Sequence, residues 1–338
     1  SLDRLGPQLE FTTRDGSRDG FHLRGIVSTI AAAAVAEGPI AGGRGAWLTS
    51  IRQSYLDWVI RRLEPDRSNS LGFTDAFGKV VFDVSSHHQL SLSLLGGRAH
   101  YQEDRDTPGP NTLSDAFSRG GMAILGVRST GASWVLNQRV FLLGNRFENR
   151  RADGLELGSG RRSDVGYRAD ASHVLSRRFT LDLGAHAQRT RERLDLWILD
   201  KRIPPRRTTD ESYDRAITRG GAFGQIRWQP SSRGTVTAGG RVDGWSGPGP
   251  TTASPWAQFE QRFPHGWALR TGAGLYHQTA SFDQIWGVHG GGSAIGAQRA
   301  FHTDVSLEQV IGTRTRWQVS FFSRDERDVA WAPGLEPR

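Results

Sequence analysis

The feature that most constrains this chain is a strict two-residue alternation of apolar and polar side chains, repeated in long runs. Phe301, Thr303, Val305 and Leu307 alternate with His302, Asp304, Ser306 and Glu308. Trp267, Leu269, Thr271, Ala273 and Leu275 alternate with Arg270, Gly272, Gly274 and Tyr276. Phe179 to His186 and Trp317 to Phe321 repeat the pattern. A period of two belongs to an extended strand, whose successive side chains point to opposite faces. Each such strand carries one apolar and one wet face. The runs extend over about ten residues, against roughly five or six in soluble sheets. Helical periodicity is hard to find, and no apolar run reaches the roughly 18–20 residues of a spanning helix. A helical membrane protein is excluded.

The connections between runs are unequal. Short, tight ones fall at Ala41–Gly45, Ser85–His88, Ser129–Gly131, Ser176–Arg178, Pro230–Gly234, Pro264–Gly266 and Gly312–Thr315. Longer polar segments lie between them, at Glu103–Asp115, Asn149–Ser163, Asp195–Asp214 and Ala280–Gln298. One short turn and one long loop per hairpin is the asymmetry of an antiparallel up-and-down transmembrane β-barrel. The aromatics agree with it. Trp47, Trp134, Phe179, Trp267 and Trp317 each follow a short turn closely, and Trp228 precedes one. An indole favours the headgroup level, apolar in its ring and polar at its N–H, so these residues are expected to form an aromatic girdle. A β-propeller would need about three turns per repeat, and this chain supplies one.

Composition removes several chemistries. The absence of cysteine excludes disulfides, a thiol nucleophile and Cys-ligated metal. The formal charge of +8 comes almost wholly from arginine, since Lys79 and Lys201 are the only lysines. Acids and bases are interspersed, as in Arg189 to Asp195, where a nucleic-acid partner would call for a basic stripe or cluster. Gly72 to Lys79 is one residue too long for a phosphate-binding loop, and Val80 stands where Ser or Thr is required. His87 and His88 are adjacent, unlike the i, i+4 pair of a helical zinc site. Asp104 and Asp106 lack the further acidic ligands of a calcium loop, and Glu192 and Asp195 read as the wet end of a strand. No enzymatic activity and no cofactor is expected. A mean hydropathy of −0.49 fits a membrane barrel, whose lumen and loops are polar.

Several segments, taken in order, carry a resemblance. These are Leu9 to Arg18, Ala36 to Ile40 followed by Gly45 to Asp57, and Gly78 to Asp83 followed by Ser85 to Ser93. Gln258 to Phe263 and Trp267 to His277 complete the set. Together they resemble the barrel region of TonB-dependent outer-membrane receptors, the first segment being similar to the passage from plug to first strand. The resemblance implies a barrel of about 22 strands around a plugged lumen. About 15 or 16 strands are readable here, so the expected fold is an all-β, incomplete barrel. Residues 1–20 are expected to end the plug and enter the first strand, and residues 21–338 to form the partial barrel. The tail Ala332 to Arg338 is loop-like, and no leader precedes Ser1, so the chain reads as a piece of a longer receptor.

The resemblance further implies residence in the outer membrane of a Gram-negative bacterium and active uptake of a scarce nutrient such as siderophore-bound iron. The implied partners are outer-membrane lipid and lipopolysaccharide, a small nutrient ligand, and a TonB-type energy-coupling complex acting through the missing plug. A passive porin-like channel of about 16 strands and a soluble β-rich binding protein are the alternatives. The lumen face is expected to carry Arg168, Asp170, Arg270, His302, Asp304 and Glu308, with Asp182, His186, Gln225 and Arg227, for plug docking or ligand contact. Arg161, Arg162, Arg206 and Arg207 are expected in long loops, within reach of lipopolysaccharide phosphates.

Overall fold

The computed structural model describes residues 12–63, 69–103, 109, 111–199, 207–247, 249–286 and 296–328. Fifteen strands follow in chain order: β1 (His22–Val27), β2 (Ala31–Ile40), β3 (Gly45–Ser54), β4 (Ser70–Asp83) and β5 (His88–Gln102). Next come β6 (Asp115–Thr130), β7 (Trp134–Arg150), β8 (Glu156–Val174), β9 (Phe179–Leu199) and β10 (Arg207–Trp228). The last are β11 (Gly234–Trp245), β12 (Thr252–Arg262), β13 (Trp267–Gln278), β14 (Gln298–Ile311) and β15 (Thr315–Arg327). Two short helices, α1 (Leu56–Leu63) and α2 (Phe282–Trp286), lie in connections. Each strand pairs antiparallel with the next, giving one sheet in the order β1 to β15. Among the described residues, β1 and β15 each have a single neighbour, so the sheet is not closed.

All seven short connections fall where the sequence places them, to within about two residues. They form one end of the sheet. The turn before β13 shows why its residues are needed: His265 and Gly266 both take positive φ, 62° and 77°. A Cβ on Gly266 would stand 2.3 Å from the Val310 carbonyl oxygen, so only glycine fits there. Two of the long connections are corrected. Asn149–Ser163 and Asp195–Asp214 are mostly strand, because β7 and β8 run to Arg150 and from Glu156, and β9 and β10 to Leu199 and from Arg207.

Directly paired residues share a face, so the register sorts every side chain. One face is apolar. Val80, Leu92, Leu125, Val140 and Tyr167 form a single cross-strand row over β4 to β8, and all five are exposed. Along β9 this face reads Phe179, Leu181, Leu183, Ala185 and Ala187, then turns abruptly to Arg189, Arg191 and Arg193. That apolar stretch matches the roughly 9–11 residues with which a tilted strand crosses a bilayer. So wide a band of exposed apolar surface is foreign to a soluble monomer and suited to hydrocarbon.

Trp47, Trp134, Phe179, Trp228, Trp267 and Trp317 all lie on the apolar face, at the short-turn end. Phe179 stacks on Trp228 at 6.2 Å and 6°, and Trp267 meets Trp317 edge-on at 5.3 Å.

Candidate functional site

The opposite face of the sheet is polar, and the register brings all six predicted site residues to it. His302, Asp304 and Glu308 share it on β14, and pairing carries it to Arg270 on β13. Through β12, β11, β10 and β9 the same face continues to Arg168 and Asp170 on β8. Asp182, His186, Gln225 and Arg227 lie on it too.

These residues form separate clusters. Arg270 donates to Glu308 at 2.7 Å and reaches Glu260 at 3.3 Å, while Arg316 adds a second bond to Glu308 at 2.5 Å. One network thus ties β12, β13, β14 and β15. His302 packs at a tilt on the Tyr276 ring, 5.0 Å away, and its Nε2 is buried without a hydrogen-bond partner. Asp304 lies over Gly272, where a Cβ would come within 2.8 Å of its Oδ1.

Arg168 clasps Asp170 with two bonds of 2.7 and 2.8 Å along a single strand. Beyond them Asp164, 6% exposed, accepts from Arg162 at 3.0 Å, from Gln188 at 2.6 Å and from Thr190. Arg162 also reaches Glu192 at 3.4 Å, and Glu192 accepts the Tyr213 hydroxyl at 2.7 Å.

Residues 12–20, before β1, run across the polar face of β2 to β4. Arg14 pairs with Glu37, Arg18 with Asp83, and Lys79 with Asp15 at 2.6 Å. Lys79 also donates to the Thr13 carbonyl at 3.0 Å. Leu9 to Phe11, the first part of the segment similar to the plug–barrel passage, lie outside the described residues, as does the tail Ala332 to Arg338.

Sequence reasoning missed a small apolar core on this polar face. Tyr213, Ile217, Ala280, Phe282 and Ile285 bury one another, with Leu194, Trp245 and Trp286 packed against them. Residues 280–286, at the start of the connection between β13 and β14, therefore fold back onto β9, β10 and β11. Arg219 fastens it by donating to the Ala280 carbonyl at 3.0 Å. A signal was present: Leu194, Tyr213, Ile217 and Trp245 occupy polar-face positions, and apolar side chains there need a cover.

The loop assignment of the arginines is corrected. Arg161 and Arg162 lie within β8, the first on the apolar face and the second on the polar face. Arg207 opens β10, and Arg206 lies outside the described residues, with Lys201, Asp104 and Asp106. Gly72 to Lys79 lie wholly within β4.

Asp57, Ser70 and His100 meet near α1. Ser70 Oγ and Asp57 both address the same ring nitrogen, Nε2, at 2.6 and 3.3 Å. A nucleophilic serine needs its base and orienting acid on opposite nitrogens, so this is no catalytic relay. Among the described residues, no group of three His, Cys, Asp or Glu side chains could hold a metal.

No protein-family model matches the chain, and no curated protein matches it. Solved structures do. The siderophore receptor PirA from Acinetobacter baumannii superposes with a TM-score of 0.67 at 9% identity, covering 91% of this chain and 52% of that one. The copper transporter OprC gives 0.69 at 13% identity, covering 92% and 55%. The FrpB iron transporter from Neisseria meningitidis gives 0.67 at 10% identity, covering 93% and 55%. The fold is that of a TonB-dependent receptor barrel. The chain spans about half the length of each of these receptors. At such identities the likeness is one of fold.

Proposed function

We propose that this chain is the barrel portion of an outer-membrane receptor that takes up a scarce nutrient. The observation that carries the reading is the sheet itself: fifteen sequential antiparallel strands with a girdled apolar band on one face and a charged, hydrogen-bonded face on the other. Its solved neighbours are named for siderophore, copper and iron, so a metal or its chelate is the candidate cargo. On this reading the apolar face meets lipid and lipopolysaccharide, and the polar face lines the lumen. Arg168, Asp170, Arg270, His302, Asp304 and Glu308 then face a plug or a passing ligand. Residues 12–20, strapped across β2 to β4, are the end of that plug. Transport draws energy from a TonB-type complex through the plug, and the chain performs no catalysis itself.

The strap also supports the view that the chain belongs to a longer receptor. Reading the source DNA on both sides tests it. The expected result is a plug-coding segment upstream and further alternating strands downstream, and start and stop codons closely bracketing these residues would overturn it.

Uptake is tested with radiolabelled ferric siderophores in receptor-deficient Gram-negative cells expressing the full reading frame. Accumulation that vanishes when the TonB protein is deleted is expected. Diffusive entry that persists without it would replace the receptor with a passive channel. Recovery of the protein in the aqueous fraction without detergent would sink both.

A further inference from the structure

On the apolar face, five arginines of five adjacent strands stand in one cross-strand row: Arg98 on β5, Arg119 on β6, Arg146 on β7, Arg161 on β8 and Arg193 on β9. Each is the direct partner of the next. Like charges placed directly opposite across strands repel and destabilise the sheet.

Several arginines of this chain are neutralised locally, by an acid two residues away on the same face. Arg150 has Glu148 at 2.5 Å, Arg168 has Asp170 at 2.7 Å and Arg262 has Glu260 at 2.9 Å, and the last arginine of the row, Arg193, has Asp195 at 2.9 Å. The other four arginines of the row differ. Positions two residues from Arg98, Arg119 and Arg161 hold Gly96 and His100, Phe117 and Gly121, and Ser159 and Ser163. Among the described residues none of these three arginines has an acidic partner, and Arg146 has only Glu148, at 3.9 Å. Four exposed guanidinium groups thus share one weakly held acid, which is itself engaged by Arg150.

The row borders open volume. Immediately on its membrane side runs a second cross-strand row, Gly96, Gly121 and Gly144. None of the three takes positive φ. A Cβ on Gly96 or Gly144 would meet only one backbone oxygen, at 3.9 or 4.0 Å, so internal packing does not demand glycine at either. A cavity of about 670 Å³ lies along Arg98, Arg119, Arg146 and Arg161. It shares the glycine row with a groove of about 990 Å³ floored over β5 to β7 by Leu94, Ala123 and Leu142 and bordered on β9 by Arg189 and Arg191. Over β5 to β8, charge and apolar surface are therefore stacked in the order that a lipid presents them at a bilayer surface.

We infer that this strip is a binding site for a phosphorylated lipid of the outer leaflet, its headgroup phosphates on the arginine row and its acyl chains in the groove below. Strands spaced about 4.8 Å apart set the four guanidinium groups over roughly 15 Å, enough for two phosphates each held by a pair. Guanidinium suits phosphate because its planar donors bind bidentately. The occupant is a bisphosphorylated lipid A, in which a single molecule supplies two phosphates. This site rests on the reading that the apolar face meets the membrane.

The test is native mass spectrometry of the protein purified in detergent and titrated with bisphosphorylated lipid A, dephosphorylated lipid A or phosphatidylglycerol. Binding of the first, weakened at least about tenfold both by removing its phosphates and by the R98Q/R119Q/R161Q variant, is expected. The R151Q/R262Q/R327Q variant, which removes three arginines paired with acids away from the row, should retain full affinity and serves as the matched loss of charge. Unchanged binding by the triple variant, equal binding of dephosphorylated lipid A, or equal binding of phosphatidylglycerol would overturn the assignment. Heat-modified gel mobility confirms that each variant is folded. Wild type that fails to enter lipid vesicles overturns the membrane reading and this site with it, whereas wild type that enters vesicles but ignores lipid A overturns the site alone.

Discussion

At the scale of single residues, the side chains that matter are those meeting a change of medium. Trp228 stacks flat on Phe179 at the short-turn end of the apolar face. Aromatic pairs of this kind contribute about 0.5–1.5 kcal/mol beyond their burial, so Trp228→Ala should lower stability by that amount or slightly more. Thermal unfolding in lipid vesicles measures it, and an unchanged midpoint would show that the stack carries no energy. Asp153, in the tight connection between β7 and β8, lies clear of the apolar band. Arg151 and then the Leu155 N–H hold its carboxyl down from 3.8 to about 2. A carboxyl depressed by folding stabilises above its unfolded value, and that contribution is lost as pH falls through the folded one. The clasp should therefore persist at pH 4 and open only near pH 2, as read from the Asp153 carbon resonance in micelles. Titration near the ordinary carboxylate value would contradict it. The predicted residues were legible because alternation alone fixes parity. The clusters among them were not, because each requires neighbours such as Glu260, Glu308 and Arg316 that only strand register brings together.

At the scale of elements, the strand is a two-sided object and its sides should respond oppositely to the same charge. Leu92 sits within the apolar row of β5, and Gln258 on the polar face of β12. An arginine facing lipid near mid-depth costs about 2–4 kcal/mol, whereas a lumen position tolerates it. Leu92→Arg should therefore be strongly destabilised in urea titrations from lipid vesicles, and Gln258→Arg little changed. Equal effects would mean that the faces have been assigned wrongly. Turns and strand starts at the short-turn end were readable in the sequence because Gly, Pro and Ser interrupt a clear alternation. The far ends of β7 to β10 were not. Beyond Ala187, β9 carries Arg189, Arg191 and Arg193 on one face and Thr190 and Glu192 on the other, so no contrast between faces remains. Helix α2 escaped for another reason: five residues are too few to show a period of 3.6.

At the scale of the whole molecule, the sheet has a well-tied middle and two loose margins. The pairing of β9 with β10 is the longest in the sheet and those of β8 with β7 and with β9 come next, whereas β1 has six residues and all thirteen of β15 are exposed. Hydrogen exchange in detergent should find the amides of β8 and β9 protected longest and those of β1 and β15 exchanging first. Uniform protection would mean that the margins have found partners. The unequal strand lengths have one more consequence. At about 3.3 Å per residue, β9 and β10 are roughly 70 Å long, more than twice what the hydrocarbon layer occupies. Their upper halves must stand clear of the bilayer as a stiff fin joined to β7 and β8, wetted where Arg189, Arg191 and Arg193 line one face and propped on the other by the core around Tyr213 and Ile217. That fin is a surface which an antibody or a phage arriving from outside would meet.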